Sequence, residues 1–367
     1  MKAFDTVDND VLLNKLAAVG CTRKTLQFLV SYLKDRQQYV QYQSAISVPY
    51  PTYSGVNQGT NLGPLEFSVM VNDLPDVIKY ASGLLFADDF KLFAPITCEA
   101  DHIALQNDIN RVVQWSHANK LSFNPEKCKV ITLSRSRSPK LYSYKADGTV
   151  LERVSSIRDL GVLVKSDLTF SEHITAVCKQ SYRMLGFVLR RVNGFQSINT
   201  IKCLYDSLVR SKLEFGALVW APHEAKYSTM LERMQNKFTR FLYLKLYGVY
   251  PFYPLMYPTL FVLGMVGYNT LKVRREVSLC TYLFKVFRGK FFSPEILNFL
   301  ALRVPQRSLR IKPGRFFVIP AGRTNLMSES PLVRTLKRLN QVHDISDLCS
   351  CTLGEFTKTV LYLASYQ

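Results

Sequence analysis

Two adjacent carboxylates, Asp88 and Asp89, stand between apolar runs formed by Leu84, Leu85 and Phe86 on one side and Phe90, Leu92 and Phe93 on the other. Like charges side by side in such a setting are unfavourable unless a cation neutralises them. A hard divalent ion suits the pair. Mg²⁺ takes a few carboxylate oxygens and completes its shell with water and substrate phosphates, and Mn²⁺ is possible in its place. Two such ions can clamp the attacking and leaving oxygens of a nucleotidyl transfer. The plainer reading is a solvated Asp-Asp turn, and so short a motif does not decide between the two by itself.

A hairpin is the element that would present such a pair, and Gly83 to Ala94 reads as two apolar strands with the charges at the tip. Upstream, Val11, Leu12, Leu13 and Leu16 recur at helical spacing and Gly20 marks the end. A second helix is expected over 22–33, with Phe28, Leu29 and Tyr32 on one face. Gln38 to Val48 alternates with period two, which predicts a half-buried strand. Gly55, Gly59 and Gly63 mark turns or close backbone approaches, and Phe67 to Val77 is expected as helix. Beyond the hairpin, Ile103, Leu105, Ile109, Val112, Val113 and Trp115 predict a helix over 99–119. A short strand over 130–134, a polar basic loop over 134–139 and another short strand pair lead to a domain boundary near Leu168. Helical patterning then continues to about Leu246 and gives way to a mixed, Pro-rich, basic tail.

The chain of 367 residues has room for two or three domains. Its 47 Lys and Arg against 28 Asp and Glu give a net charge of +19, which favours a polyanionic partner, nucleic acid ahead of an anionic membrane surface. A membrane span is not expected, because the most apolar stretch, from Leu255 to Tyr268, is interrupted by Pro258, Gly264 and Gly267. Hydrophobic residues make up 47%, with 23 Phe and 20 Tyr, enough to bury a core. Eight scattered cysteines fit no zinc spacing, Cys349 and Cys351 included, and read as reduced thiols. The opening residues hold no apolar signal region, so an intracellular location, cytoplasm and nucleus, is expected. Between Lys272 and Arg338 there are fifteen Lys and Arg against Glu276, Glu295 and Glu329, with Phe284, Phe287, Phe291, Phe292, Phe316 and Phe317 interleaved. Two readings stay open for this block: phosphate contacts with aromatic faces stacked on bases, or core aromatics under a solvated basic face.

The residues around the acidic pair resemble the reverse transcriptases of non-LTR retrotransposons, jockey-like elements in particular. Phe86-Ala87-Asp88-Asp89 is similar to the F/Y-A-D-D motif of that family. Upstream, Gly55-Val56-Asn57-Gln58-Gly59 with Gly63-Pro64-Leu65, then Asn72-Asp73-Leu74-Pro75, resembles its G-V-P-Q-G-S-x-L-G-P-L segment and the I-N-D-L-P that follows. Downstream the resemblance continues through Trp115, Asn119, Asn124 and Lys127 to Arg158-Asp159-Leu160-Gly161-Val162 and to the helical segment Leu204 to Gly216. The family order is kept over roughly residues 1 to 240.

The resemblance implies an α+β polymerase palm over 1–168, an antiparallel sheet with helices on one face, then an α-helical thumb over 169–246 and a basic C-terminal region over 247–367. It implies RNA-directed DNA synthesis on an RNA template and DNA primer with dNTP, and no membrane. Asp88 and Asp89 become catalytic Mg²⁺ ligands, and Lys127 assists the departing pyrophosphate. Phe4 is the steric gate beside the incoming nucleotide, Gln58 and Gly59 lie at the nascent base pair, and Leu160 and Gly161 belong to the primer grip.

The family's first palm motif has the form D-x-x-x-A-F-D, of which Ala3-Phe4-Asp5 is the end. Its leading aspartate is therefore expected before Met1, with Asp5 as companion rather than ligand; neither Asp5 nor Asp8 is expected to replace it. The fingers and any upstream endonuclease are likewise expected outside the chain. Milder departures are Asn9 for His, Asn57 for Pro, and Glu66, a charge where an apolar side chain is expected to be buried. Asp73 reads as a turn residue. The resulting expectation is a reverse transcriptase fragment with impaired polymerase activity. The alternative is a non-catalytic nucleic-acid-binding protein that uses the basic thumb and tail. A phosphoesterase has little support, since the five histidines are far apart in sequence.

Overall fold

In the computed structural model, which describes residues 3–134, 136, 138–252, 258–303, 316–322 and 324–365, the Asp8 carboxylate starts the first helix by accepting from the N–H groups of Asp10 and Val11. That helix, α1 (Asn9–Ala18), buries Leu12 and Leu16. The Asn9 amide donates to the carbonyl of Leu33 at 3.0 Å, which ties α1 to the end of α2 (Arg23–Leu33), itself capped by Thr22. The inward face of α2 is Leu29 and Leu33; Phe28 is 57% exposed and stacks on Tyr32, so the apolar stripe is rotated from the expected one.

The alternation over 38–48 does not make a half-buried strand. Gln43 takes a left-handed φ of 52° and folds Gln41–Tyr42 back on Ala45–Ile46, while Arg36–Gln38 pairs with Tyr50–Thr52. Tyr39, Val40, Tyr42, Ile46 and Val48 are all more than half exposed. A two-stranded ribbon with nothing packed on it buries neither face. The expected helix over 67–77 is likewise split. Helix α3 (Gly63–Val71) stops first, and Pro75–Val77 forms a separate 3-10 turn, because proline cannot continue the helical hydrogen-bond ladder.

Phe67, Met70 and Val71 of α3 meet Leu12, Leu16, Leu29 and Leu33 in one core, which also takes Val112 and Trp115 from α4 (Glu99–Ala118). The chain divides into two compact units, Met1–Ile157 and Arg158–Gln367. Strands are two to five residues long, and among the described residues every sheet has two strands. Most are antiparallel; Glu152–Arg153 pairs with Lys129–Val130 in parallel. The architecture is thus mixed α/β, with small separate ribbons and many helices instead of one continuous antiparallel sheet.

In the second unit α5 (Ser171–Arg191) packs Ile174, Leu185 and Val188 against Tyr205, Val209, Leu213, Leu231, Phe238 and Leu242. Residues 198–214 form one helical run with a π turn at Asp206–Arg210. Tyr205 stacks on Phe238 with centroids 3.8 Å apart. The described residues from Thr259 onward, read from sequence as mixed, are largely helical, with Leu271–Phe287, Pro331–Ile345 and Leu353–Ser365 around a core in which Phe284 stacks on Phe356. Arg307, Arg310, Lys312, Arg315 and Arg323 of the basic block lie outside the described residues, as do Arg135, Arg137 and Leu255. Among the described residues no helix is long and apolar enough to cross a membrane.

Candidate functional site

The acidic hairpin forms where it is expected. Ser82–Phe86 pairs with Asp89–Phe93, with Phe86 opposite Asp89, so Ala87 and Asp88 are the two turn residues. Leu85, Phe90 and Leu92 pack against the core of the first unit, which fixes the register, and Phe86 is exposed. Ala87 takes a φ of 51°, a region disfavoured for residues with a Cβ and found preferentially where a tip must hold one geometry. A Cβ at Gly83 would lie 2.5 Å from Ile78 Cδ1, so the end of that side chain would have to move aside. Both Asp88 and Asp89 are exposed, and among the described residues neither carboxylate has a hydrogen-bond or ion-pair partner. Among the described residues no group of three or more His, Cys, Asp or Glu assembles there. Two uncommitted carboxylates suit a hard divalent ion whose other ligands are water and phosphate oxygens.

The entering foot of this hairpin is fastened to α4, and the leaving foot runs on into its N-terminus. At the entering foot the buried Asp108 carboxylate accepts from the N–H groups of Lys79, Tyr80 and Ala81 at 3.0, 2.8 and 2.7 Å, and Arg111 pairs with it. Burial opposes ionisation of Asp108, but these donors outweigh it and hold its carboxyl below the usual carboxylate range. Where the chain leaving the hairpin enters α4, Asp101 closes a capping box: it accepts from the Thr97 hydroxyl and from the N–H groups of Thr97 and Cys98, which keep it well below that range. The Tyr80 hydroxyl donates to the Pro95 carbonyl at 2.7 Å and clasps the two feet together.

A second constellation forms around Phe4 and Gln58. Phe4 stacks on Phe67 with centroids 4.2 Å apart. The loop over 54–58 is zipped to the 3–7 segment: Gly55 N–H donates to Val7, Val56 N–H to Phe4, and the Ser54 hydroxyl to the Asp5 carbonyl. The Gln58 amide donates to the Asp5 carboxylate. Gly55 is doubly constrained, with φ of 88° and only 2.9 Å between an added Cβ and Asp5 Cα. Gly59 has a φ of 81° but open space around it. Arg36 clamps the loop through the Ser54 and Gly55 carbonyls and the Asn57 side chain, and reaches the Leu33 carbonyl as well. Glu66, at the start of α3, is 2% exposed with neither carboxyl oxygen bonded.

Lys127 is exposed in the turn after Asn124, with no side-chain partner among the described residues. Asp73 forms an ion pair with Lys15 at 2.6 Å. Leu160 and Gly161, with φ of 43° and 87°, are the turn between Ser156–Asp159 and Val162–Lys165, and a Cβ at Gly161 would meet the Phe215 ring at 2.9 Å. Phe4, Gln58 and Gly59 are thus drawn into one constellation and Asp88 and Asp89 into another. Among the described residues no hydrogen bond or ion pair joins the two, and Leu160 and Gly161 belong to the other compact unit. Sequence reasoning passed over Arg36 and Asp108. The available signal for Asp108 was a carboxylate in line with Leu105, Val112 and Trp115, inside the apolar stripe of α4.

A sequence profile described as reverse transcriptase (RNA-dependent DNA polymerase) matches residues 1–189. The chain is similar to the probable RNA-directed DNA polymerase from transposon BS of Drosophila melanogaster, with 28% identity over 252 residues, 65% of this chain and 28% of that protein. It is similar to the RNA-directed DNA polymerase from mobile element jockey of Drosophila funebris, with 25% identity over 65% of this chain and 27% of that protein. For the retrovirus-related Pol polyprotein from type-1 retrotransposable element R2 of Popillia japonica the identity is 26% over 52% of this chain and 32% of the relative. The chain spans less than a third of the length of each of these relatives.

Proposed function

Because this chain belongs to the reverse transcriptase family, as a jockey-like, non-LTR member, we propose that it is palm and thumb of an RNA-directed DNA polymerase that extends a DNA primer on an RNA template with dNTP, in the cytoplasm and nucleus. The palm is 1–168, the thumb 169–246, and 247–367 is a basic extension. The observation that carries this reading is the uncommitted Asp88 and Asp89 pair at a rigidly held hairpin tip, within motifs that keep the family order. Asp88 and Asp89 would hold Mg²⁺, or Mn²⁺, which when bound offsets charge at the reacting phosphates. Phe4, stacked on Phe67, is held in place to exclude a ribose 2′-hydroxyl. Asp5 orients the Gln58 amide against the nascent base pair, and the φ of Gly59 lets the backbone pass close by. Lys127 offers an ammonium to the departing pyrophosphate, and the Leu160-Gly161 turn bears on the primer.

The family's leading aspartate would stand five positions before Phe4, so these 367 residues by themselves are expected to extend primers weakly or not at all. The test is primer extension on RNA with Mg²⁺, comparing the 367 residues with a form carrying the preceding segment of the motif. Robust extension by the short form, abolished by Asp88→Ala, overturns the weak-activity reading; no extension by the longer form overturns the polymerase reading. A second reading, nucleic-acid binding without catalysis, draws on the exposed Phe292, 94% accessible, and on Lys285 over the ring of Phe291. Phe284 and Phe317, by contrast, are core residues.

A further inference from the structure

We propose that Asp108 is a positioning residue for the acidic pair: by binding the entering foot of the hairpin to α4, it sets the orientation in which Asp88 and Asp89 meet a divalent cation. The inference rests on the reading of that pair as a metal site. Asp108 is 0% exposed, although a carboxylate is almost never fully buried without a partner that demands it. Its partners are the N–H groups of three consecutive residues, Lys79, Tyr80 and Ala81, immediately before the strand that begins at Ser82. Those groups lie between a 3-10 turn and the first strand, outside the strand pairing, and Lys79 and Tyr80 are exposed, so without Asp108 water would take its place and the segment would lose this tie to α4.

Asp101, by contrast, caps the start of α4 itself through Thr97 and Cys98, where the chain leaving the hairpin runs into the helix. The two carboxylates are seven residues apart on α4, so they lie on one face about two turns, or about 10 Å, apart. The hairpin is therefore a lever whose two feet rest on one rigid rod. Tyr80 to Pro95 closes the base. A small tilt at the feet is carried over five paired residues to the tip, and catalytic constellations tolerate displacements of only about 0.5 Å.

The test reads the metal site locally and does not need polymerase activity. Mn²⁺ is titrated into protein labelled at alanine methyls, and paramagnetic broadening of the Ala87 methyl gives a half-effect concentration. In the unsubstituted protein broadening is expected to saturate and to be lost in Asp88→Asn with Asp89→Asn. Asp108→Asn keeps the volume but removes the charge and one acceptor, and is expected to raise the half-effect concentration by about tenfold or more, the usual effect of removing a support behind a metal ligand. Val112→Ala, on the same helix and in the same core, destabilises the unit without touching the feet and is expected to leave that concentration unchanged. Should Asp108→Asn fail to fold, Tyr80→Phe, which loses the hydroxyl that clasps the feet at Pro95 and faces Asp101, decides instead with an expected rise of a few fold. An unchanged value in the folded Asp108→Asn protein, or in Tyr80→Phe where that variant decides, overturns the inference, as does an equal shift in Val112→Ala. Absence of saturable broadening in the unsubstituted protein overturns the metal-site reading and the inference with it.

Discussion

Glu66 stands at the start of α3 with its carboxyl sealed from water and unbonded. Burial pushes its pKa up, and the Arg36 guanidinium pulls it only partway back. The folded protein therefore holds a proton here that the unfolded chain releases at lower pH. The stability linked to that proton is fully present below the ordinary carboxylate range and is lost as pH rises through the raised value. We expect Glu66→Leu to stabilise the protein by about 1–3 kcal/mol at pH 7, with the gain shrinking towards pH 4, read by urea denaturation at both pH values. The glycines of the neighbouring loop separate by cause. Gly55→Ala meets both a forbidden φ and the Asp5 backbone, whereas Gly59→Ala meets only the φ. Gly59→Ala should cost about 1–2 kcal/mol and Gly55→Ala more, which thermal unfolding of the two variants will rank.

At the scale of elements, the hairpin and α4 were legible because each has a strong period and a clear stop: apolar runs broken by an acidic pair, and an apolar stripe ending near Asn119. The ribbon over 36–52 was not legible. Its alternation of Tyr, Val and Gln has the right period, but a period says nothing about whether another layer exists to cover it, and among the described residues none does. Phe67 to Val77 misled for the opposite reason, since the apolar pattern runs on past the place where Pro75 stops the ladder. Asp108 and Arg36 were passed over because a charge is read as surface unless its partners are known, and most of theirs are backbone groups far away in sequence. The segment from Leu204 to Gly216, noticed for its family resemblance, serves packing: Tyr205, Val209 and Leu213 are buried, and Glu214 pairs with Arg274. Phe238→Ala removes the ring stacked on Tyr205 and should cost about 3–5 kcal/mol in the denaturation of the second unit.

At the scale of the whole molecule, the excess of positive charge makes a definite demand on solution behaviour. If Lys and Arg grip phosphates, binding to single-stranded RNA or an RNA–DNA hybrid must weaken steeply with salt. We expect mobility-shift titrations to show affinity falling by at least about tenfold between roughly 50 and 200 mM salt; near-constant affinity would leave the basic face as solvation only. The attachment of both hairpin feet to a single helix also bears on which changes of length the gene can survive. One codon inserted between Asp101 and Asp108 would swing the second carboxylate about 100° around the helix and leave three N–H groups without an acceptor. A codon inserted in the exposed ribbon shifts nothing the hairpin stands on. Copies of this sequence that drift in length should therefore vary freely through the ribbon while the spacing from Asp101 to Asp108 stays fixed in every copy that still needs its acidic pair.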